Sequence, residues 1–466
     1  MDRSRYVGTF SIQWHITNDC NNRCKHCYMF QDGSYEEEKK NELKFEQLIK
    51  ILDDIKNFEE KWGFNINNFF ITGGDPLLRK DWKLFIQELK NRGKTIHMMG
   101  NPETLTEENL NFLSEVGIKQ FQMSLDGLEK THDDFRSKGS FKRTVAALSK
   151  LKSRGIKASI MSTLTPINRE EFFELMEYVV KETDADGFAF DLVASVGNAA
   201  LITERFTPED IKDIFTQYLE VKNRLYREGY STQISEKSSL FKLLHYDNDD
   251  FNPYNLEENM AISGCHIGYT CFTIISDGSV MACRRLPMKV GKLPEQNIEE
   301  IFLGNEILKK FRRPQYYEEC GKCKFFKVCR GCPSVVYGEK NDPFAKHPLC
   351  FKSLIKKNDT YSEIKEVPMD TTYEEECKLI KSHYNNIYRN NYDSYICRDK
   401  VLRLIGMLLN NKEERRTFLK EPEKYVQDKN INMQKDEIMF TVYYLDGIKQ
   451  GKIANPIKYY FKNNLL

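Results

Sequence analysis

The sequence predicts an α/β fold in its first half, followed by a cysteine-rich module and a helical unit. Strand-like and helix-like segments alternate up to about residue 230, which is typical of a parallel sheet wrapped by helices, either an open doubly wound sheet or a barrel. Eleven of the thirteen cysteines fall into two groups at metal-ligand spacing. Past residue 350 the composition shifts to a Tyr- and Asn-rich stretch, and leucines then recur at helical spacing.

Hydrophobic periodicity predicts the elements of the first half in order. The first strand is the apolar segment 10–16, and the first helix carries Leu48, Leu52 and Ile55 on one face. Thr106 is a suitable N-cap for a later helix. The predicted strands are 10–16, 68–71, 95–99, 120–124, 157–161 and 187–193. The predicted helices between and after them are 43–62, 80–92, 106–116, 141–154, 169–182 and 207–228.

The length of 466 residues favours two or three domains, and the hydrophobic content of 40% is enough for a packed core. We expect the strand–helix domain to span 1–235 and a bridging segment to span 236–260. The cysteine-rich domain is then expected at 261–367 and a helical C-terminal extension at 368–466. Leu402, Leu404, Ile405, Leu408 and Leu409 form the apolar face of that extension.

The charge balance excludes some classes of partner. With 70 basic and 69 acidic side chains the net charge is +1, so no overall field favours nucleic acid or an anionic membrane. The N-terminus lacks an apolar secretory segment, and no apolar run is long enough to span a bilayer. We therefore expect a soluble cytoplasmic protein, in which closely spaced cysteines are metal ligands more often than disulfides.

The first cysteine group, Cys20, Cys24 and Cys27, lies directly after the first predicted strand. Three thiolates from one short loop can converge on one metal centre. A cuboidal iron-sulfur cluster normally takes four cysteine ligands, so three leave one iron open for an exogenous ligand. A three-cysteine zinc site, or three incidental thiols, is the alternative interpretation.

The spacing C-x3-C-x2-C after an apolar strand resembles that of the radical S-adenosylmethionine enzymes. The resemblance implies a partial (β/α)6 TIM-like barrel. It also implies a 4Fe-4S cluster whose open iron binds S-adenosylmethionine, and reductive cleavage of that molecule to a 5'-deoxyadenosyl radical. His26 stands where the family places an aromatic residue that contacts the adenine.

Two later segments resemble other motifs of the same family. Gly73-Gly74-Asp75-Pro76 is similar to the Gly-Gly-Glu-Pro loop that holds the methionyl amino group, with Asp75 in place of the commoner Glu. The segment from Met123 to Phe141 resembles the fourth strand and its loop, which implies that Ser124 and Arg136 hold the carboxylate or ribose of S-adenosylmethionine. A guanidinium suits a carboxylate because it can bind it bidentately. The alternative for Arg136 is a solvated loop arginine.

The second cysteine group extends from Cys265 to Cys350 and contains the spacing C-x2-C-x5-C-x2-C between Cys320 and Cys332. It resembles the SPASM domain, an auxiliary-cluster module of peptide- and protein-modifying radical enzymes. Its final pair has two intervening residues where the usual pattern has three. The resemblance implies two 4Fe-4S clusters, and thus three in the chain. The first auxiliary cluster would be ligated by Cys265, Cys271, Cys283 and Cys332, and the second by Cys320, Cys323, Cys329 and Cys350.

A pair of zinc sites is the alternative for these eight cysteines. The five-residue spacing between Cys323 and Cys329 is short for a four-cysteine zinc module, where roughly 15 to 20 residues are usual. The segment 272–280 reads as a hairpin with Asp277-Gly278 at its turn, which would bring Cys271 and Cys283 together. Cys377 and Cys397 lack metal-ligand spacing and read as ordinary thiols.

The resemblance implies a peptide or protein substrate and an external low-potential electron donor. It covers maturases that crosslink ribosomally made peptides through thioether or carbon-carbon bonds, with the auxiliary clusters accepting an electron. It also covers anaerobic sulfatase-maturing enzymes that oxidise Cys or Ser to formylglycine. That subgroup carries an Asp after the third cysteine of the first auxiliary cluster, where this chain has Arg284, and arginine cannot act as a base at neutral pH. We therefore favour the crosslinking maturase, with formylglycine formation second.

Two further expectations concern partners and function class. Fewer than ten residues precede the first strand, so we expect leader recognition to fall to a separate protein or to the helical extension. No residue can be assigned as an acid or base from the sequence. The hypothesis from another class is a non-enzymatic iron-sulfur electron carrier or redox sensor. An open iron argues against it, because a carrier has no use for an exchangeable ligand position.

Overall fold

The computed structural model describes residues 10–29, 34–248, 264–326, 328–356, 366–387 and 411–429, with isolated positions at 364 and between 404 and 445. Cys397 and the predicted helix positions Leu402, Ile405 and Leu409 lie outside the described residues. The bridging segment is described only up to residue 248.

The described strands form one ten-stranded sheet. In chain order they are β1 Phe10–His15, β2 Ile66–Thr72, β3 Thr95–Met99, β4 Gln120–Ser124, β5 Ala158–Leu164, β6 Gly187–Leu192, β7 Gln233–Glu236, β8 Cys271–Ile274, β9 Ser279–Cys283 and β10 Leu286–Lys292. Strands β1 to β7 are parallel and adjacent in sequence order. Because that order never reverses, the sheet is wound in one direction as in a barrel, and the doubly wound alternative is wrong.

The helices follow the strands as the periodicity predicts. They are α1 Ser34–Lys40, α2 Phe45–Trp62, α3 Trp82–Asn91, α4 Glu107–Val116, α5 Glu129–Phe135, α6 Ser140–Lys152, α7 Phe172–Glu182, α8 Pro208–Arg227, α9 Phe241–Asp247, α10 Glu306–Phe311, α11 Glu318–Gly321, α12 Pro333–Lys340, α13 Tyr373–Ile387, α14 Lys412–Lys420 and α15 Pro422–Asp428. The predicted N-cap is confirmed, since the Thr106 hydroxyl accepts a hydrogen bond from the Asn109 amide at 3.2 Å. Up to residue 236 the periodicity missed α1, α5 and the short edge strand β7, and it predicted none of α9 to α12 or β10.

The cysteine-rich region continues the same sheet. Strand β8 pairs in parallel with β1, from Ser11 opposite Cys271 to Trp14 opposite Ile274. The predicted hairpin is confirmed, because β8 and β9 are antiparallel and Gly278 occupies their turn with φ +87°. Strands β10 and β7 form the two edges, so the barrel is open. Sequence reasoning did not predict the β1–β8 pairing.

One hydrophobic core runs through both regions. The Phe10 ring packs edge-on against Phe272 and Phe302, with ring centroids 5.5 Å and 4.8 Å apart. Helices α14 and α15 belong to a second, smaller core in which Phe418 packs against Tyr425 at 5.5 Å. The domain boundaries at 235, 260 and 367 remain proposals, and the sheet crosses the first two.

Candidate functional site

The loop after β1 presents Cys20, Cys24 and Cys27 to a cavity at the C-terminal ends of the parallel strands. All three thiols are half-buried. The same cavity is lined by five of the predicted S-adenosylmethionine contacts, namely His26, Gly73, Gly74, Ser124 and Arg136. The site therefore lies where barrel enzymes assemble their catalytic residues.

Gly73 and Gly74 hold the first part of the cysteine loop by close backbone contact. The Gly74 amide donates to the Thr17 carbonyl at 2.9 Å. A Cβ on Gly73 would lie 2.1 Å from that carbonyl oxygen, and one on Gly74 would lie 2.1 Å from the Asp19 carbonyl. Gly73 also has φ +148°, which L side chains disfavour. Only glycine fits either position.

The last part of the cysteine loop rests on the segment after β6. The Asn198 amide donates to the Cys27 carbonyl at 3.0 Å, and its side-chain amide donates to the Cys24 carbonyl at 3.2 Å. Gly197 has φ +62°, and a Cβ there would lie 2.6 Å from the Cys27 oxygen. Sequence reasoning missed this support. The Gly-Asn pair past the end of a strand is the only sequence feature that could have indicated this support.

The three thiols have polar neighbours besides one another. Cys20 Sγ accepts from the Asn22 amide at 3.4 Å and from Asn101 Nδ2 at 3.5 Å, and Arg136 Nη1 lies 3.8 Å from Cys24 Sγ. Burial raises the pKa of all three thiols, that of Cys27 to about 12. A bound metal cluster would reverse this shift, since coordination stabilises the thiolate.

Arg136 is held by a buried acidic residue. Its Nε donates to Asp126 Oδ2 at 2.6 Å, and His26 Nε2 lies 3.4 Å from the same oxygen. Burial lowers the pKa of His26 to about 4, so the ring is neutral at pH 7. His26 Nδ1 is buried without a hydrogen-bond partner. An unpartnered ring nitrogen on the cavity wall fits a bound purine, as the sequence resemblance implies.

Asp75 is the predicted contact that the structure does not place on the cavity wall. Its fully buried carboxylate accepts hydrogen bonds from the Leu77 amide at 3.1 Å, the Asn101 amide at 3.2 Å and the Thr104 hydroxyl at 2.8 Å. Burial raises the pKa of Asp75 to about 6. In this geometry Asp75 orders the segment after β3, which carries Asn101 into the cavity wall.

The cysteine-rich region supplies another wall of the same cavity. Arg284 and Arg285 directly follow Cys283 at the end of β9, and both line the cavity. Arg285 donates to Asp191 Oδ2 at 2.6 Å. The Arg284 guanidinium lies 3.7 Å from Met99 Sδ and 5.7 Å from the centre of the Tyr28 ring. The sequence analysis considered Arg284 only because it stands where the sulfatase-maturing subgroup has an acidic base, and it did not consider Arg285.

The first predicted auxiliary set converges at the hairpin. Burial raises the pKa of Cys265 to about 12, an effect that Arg330 reduces and the nearby thiols of Cys332 and Cys283 add to. The pKa of Cys271 is raised in the same way, by burial and then by Cys265 and Cys283. Arg285 Nη2 lies 3.7 Å from Cys332 Sγ. Cys271 and Cys283 stand at the same end of the antiparallel strands β8 and β9, and Ser334 Oγ, two residues after Cys332, lies 3.6 Å from Cys283 Sγ.

The second predicted set lines its own cavity, formed in part by Cys320, Cys323, Cys329 and Cys350. Cys329 Sγ accepts from the Gly331 amide at 3.3 Å. Among the residues that the structure describes, no three His, Cys, Asp or Glu side chains form a group that could hold a single metal ion. Two sets of four cysteines are a donor number that suits two cuboidal clusters.

Cys377 is buried apart from these sets, with its Sγ 3.8 Å from the Trp62 carbonyl oxygen. Within the described residues no helix is both long and apolar enough to cross a bilayer.

Comparison with known proteins identifies two domains. Residues 14–179 match the model of the radical SAM superfamily, and residues 265–324 match that of the SPASM iron-sulfur cluster-binding domain. The first match covers the cysteine loop and the strands that carry the predicted S-adenosylmethionine contacts. The second begins at Cys265 and ends just after Cys323.

Several characterised proteins are similar over most of their length. An AdoMet-dependent heme synthase from Nitratidesulfovibrio vulgaris is 26% identical over 353 residues, which cover 73% of this chain and 91% of that protein. The sporulation killing factor maturation protein SkfB from Bacillus subtilis is 25% identical over 334 residues, covering 71% of each chain. The structure of Streptococcus suis SuiB bound to its precursor peptide SuiA superimposes with a TM-score of 0.57 at 17% identity, covering 74% of this chain and 76% of SuiB.

Proposed function

The chain is a radical SAM enzyme with a SPASM domain, and from this premise we propose that it is a peptide maturase. Its reaction would remove a hydrogen atom from a ribosomally made peptide and form a thioether or carbon-carbon crosslink. Three 4Fe-4S clusters would serve the reaction, ligated by the three cysteine sets named above. When bound, the first cluster and S-adenosylmethionine supply the carbon radical that takes the hydrogen atom.

The observation that supports this proposal is the shared cavity wall. Cys20, Cys24 and Cys27 line the cavity from one side, and Arg284 and Arg285 line it directly after Cys283, a predicted auxiliary ligand. Joining a C–H carbon to a thiol sulfur removes one hydrogen atom, one proton and one further electron. That electron needs an acceptor close to the substrate, and an auxiliary cluster held by Cys283 would lie beside this cavity.

The residues of the cavity have separable tasks. Arg136, fixed by Asp126, would hold the carboxylate of S-adenosylmethionine, and neutral His26 would contact its adenine. Gly73 and Gly74 would keep the cysteine loop in place, and Ser124 would complete the wall at the end of β4. Asp75 would act through the loop that it orders. An external low-potential electron donor would reduce the first cluster.

Formylglycine formation stays the second candidate within peptide chemistry. Arg284 occupies the place of the acidic base that the sulfatase-maturing subgroup carries, and a guanidinium stays protonated at neutral pH and cannot accept a proton. A full set of four cysteines around each auxiliary cluster also leaves no iron for a substrate thiolate. Both points favour crosslinking with electron relay.

A third candidate is modification of a carboxylate-bearing tetrapyrrole. The relative from N. vulgaris is named a heme synthase, and heme carries carboxylate side chains. Of the three arginines on the cavity wall, Arg136 and Arg285 are paired with Asp126 and Asp191, whereas Arg284 has no carboxylate partner among the described residues. A free guanidinium at this position would suit a substrate carboxylate.

The first experiment is anaerobic reconstitution followed by assay of 5'-deoxyadenosine under a strong reductant. We expect product from the native chain and none from the Cys20, Cys24 and Cys27→Ala variant. Cys377→Ala is the matched control, since this buried thiol lies outside the three sets, and it should retain full product. Absence of product from native protein with its full iron would refute radical chemistry and favour the electron-carrier hypothesis.

A second assay separates the substrates. Peptides encoded beside the gene, a sulfatase-derived peptide and an iron porphyrin are each incubated with the reconstituted enzyme, and the products are analysed by mass spectrometry. A peptide mass lowered by two hydrogens with a new crosslink in its fragments supports the proposal. An aldehyde from Cys or Ser supports the second candidate, and a changed porphyrin with unchanged peptides supports the third.

A further inference from the structure

Arg330 lies between the two predicted auxiliary cluster sites. It stands in Cys329-Arg330-Gly331-Cys332, between a predicted ligand of the second cluster and one of the first. Its side chain lines the cavity formed by the second set. It also packs over the ring of Tyr269, which stands between Cys265 and Cys271 of the first set. One guanidinium thus lies beside both sites.

The backbone of Arg330 is strained. It has φ +55°, in the left-handed region, and Asn341 is the only other described residue besides glycine with positive φ. The following Gly331 is also left-handed at φ +61°. This conformation is sterically strained for residues with a Cβ. A non-glycine residue therefore persists in it when the surroundings require that side chain. A glycine or asparagine would suit the turn better, which indicates that the Arg330 side chain has a role of its own.

The Arg330 guanidinium is buried and short of partners. Its exposed fraction is 3%, and neither Nε nor Nη2 has a hydrogen-bond partner. Nη1 donates a single bond, of 3.3 Å, to the Phe311 carbonyl. The guanidinium carbon lies 4.6 Å from the centre of the Tyr269 ring. Within the described ranges no carboxylate is paired with it. A buried cation without a counter-charge is costly, so this geometry requires an anionic partner.

We propose that the partner is the auxiliary cluster of Cys265, Cys271, Cys283 and Cys332, and that Arg330 is a positioning residue which sets its reduction potential. A cluster ligated by four thiolates is anionic, and reduction adds a further negative charge. A fixed cation and two N–H donors stabilise the reduced form and raise the potential. Arg330 would therefore make this cluster the better electron acceptor beside the substrate cavity.

This inference rests on the proposed cluster sets, and the experiment separates the two. The Cys20, Cys24 and Cys27→Ala protein is reconstituted so that only auxiliary clusters remain, and iron content and electron paramagnetic resonance spectra count them. Loss of the expected clusters would refute the ligand sets. With both clusters present, reduction potentials are measured by a redox titration followed by electron paramagnetic resonance.

Arg330→Gln removes the charge and should shift one auxiliary potential to more negative values, while the other moves less. Arg330→Lys keeps the charge and should retain most of the native potential. Lys322→Gln is the matched control, because Lys322 is solvent-exposed between Cys320 and Cys323 and its loss changes the net charge equally. Both potentials unchanged in Arg330→Gln, or equal shifts in Lys322→Gln, would overturn the proposal.

A second measurement covers the case in which Arg330→Gln loses its clusters. Protein containing ¹⁵N-labelled arginine is reduced, and nitrogen couplings to each cluster are recorded by pulsed electron paramagnetic resonance. We expect an arginine coupling that disappears in Arg330→Lys. A coupling that survives in that variant would belong to Arg285, whose Nη2 lies near Cys332, and would overturn the assignment, as would no coupling at all.

Discussion

Asp126 is the residue on which the charge balance of the S-adenosylmethionine cavity depends. Burial alone would raise the pKa of this fully buried carboxyl, but Arg136 and then His26 and His132 lower it to about 2. Because the pKa in the folded state lies below the ordinary value of 3.8, the ionised carboxylate stabilises the fold above pH 3.8. That contribution is lost as the pH falls toward 2.

We expect Asp126→Asn to destabilise the protein at pH 7 by about 3 to 5 kcal/mol, because Arg136 would remain buried without its counter-charge. Urea unfolding followed by tryptophan fluorescence measures this loss. Between pH 4 and pH 2 the variant should lose about 2 kcal/mol less stability than the native protein, which is the share due to Asp126.

Asp184→Asn is the control for that prediction. Its ion pair with Lys152, at 2.7 Å, lies on the surface. Such an exposed pair is screened by solvent and contributes little to stability. Equal losses in the two variants would show that Asp126 has no special part in holding Arg136.

At the scale of elements, the cysteine loop is positioned by strand ends far from it in sequence. Gly73 and Gly74 follow β2, and Gly197 and Asn198 follow β6. Backbone groups of these residues contact the loop directly, and a Cβ at any of the three glycines would clash with it at the observed distances. The three thiols therefore depend on the packing of the whole sheet for their mutual geometry.

We expect Gly197→Ala to displace the loop and lower the iron content by about one cluster of the three proposed, since the new Cβ would lie 2.6 Å from the Cys27 carbonyl. Iron analysis and 5'-deoxyadenosine assay of the reconstituted variant measure the effect. Gly155→Ala is the matched control, because Gly155 has φ +68° and nothing lies within 4 Å of its Cβ position.

The control should cost only the left-handed strain of about 1 to 2 kcal/mol and keep all of its iron. If Gly197→Ala also keeps its iron and activity, the contact with Cys27 does not position the ligands.

At the scale of the whole molecule, the start of the C-terminal extension is locked into the SPASM region. Glu376 on α13 is fully buried, and its carboxylate is shared by Arg312 and Arg313, with Arg312 Nη1 at 2.8 Å. Arg313 Nε also donates to the Pro368 carbonyl at 2.7 Å. Deleting α13 would leave two buried arginines without their carboxylate.

We therefore predict different outcomes for two truncations. Deleting residues 368–466 should prevent stable folding or lower the amount of cluster bound at the auxiliary sites. The reason is that breaking a buried ion pair costs about 3 to 5 kcal/mol. Deleting only 388–466 should leave S-adenosylmethionine cleavage intact and weaken peptide modification, if the distal helices bind the leader peptide. Thermal unfolding, iron analysis and peptide turnover distinguish these results.

Glu376→Gln in the full-length chain isolates the ion pair, and it should lower the unfolding temperature without removing any helix. Unchanged peptide turnover after deletion of 388–466 would show that the helical unit takes no part in leader recognition. Equal stability of the two truncated proteins would show that the Glu376 contact is dispensable.

Much of the molecule could be predicted from local sequence. The alternation of strands and helices, the Thr106 cap and the Asp277-Gly278 hairpin depend on residues close together in the chain, so periodicity and turn chemistry indicate them. The cysteine spacings are local too, and they pointed to the radical SAM and SPASM domains. Strand β7 was missed because four residues give too short a pattern to separate from a loop.

The sequence by itself determined which parts the molecule contains. They are an α/β domain, eleven cysteines at metal-ligand spacing, and the motifs around Gly73, Ser124 and Arg136. Tertiary structure alone decided how these parts meet. It paired β8 with β1, rested the cysteine loop on Gly197, kept Asp75 off the cavity wall and buried the Arg330 guanidinium against the Tyr269 ring. These contacts join residues distant in sequence, and their energies depend on packing and burial, which spacing along the chain does not encode.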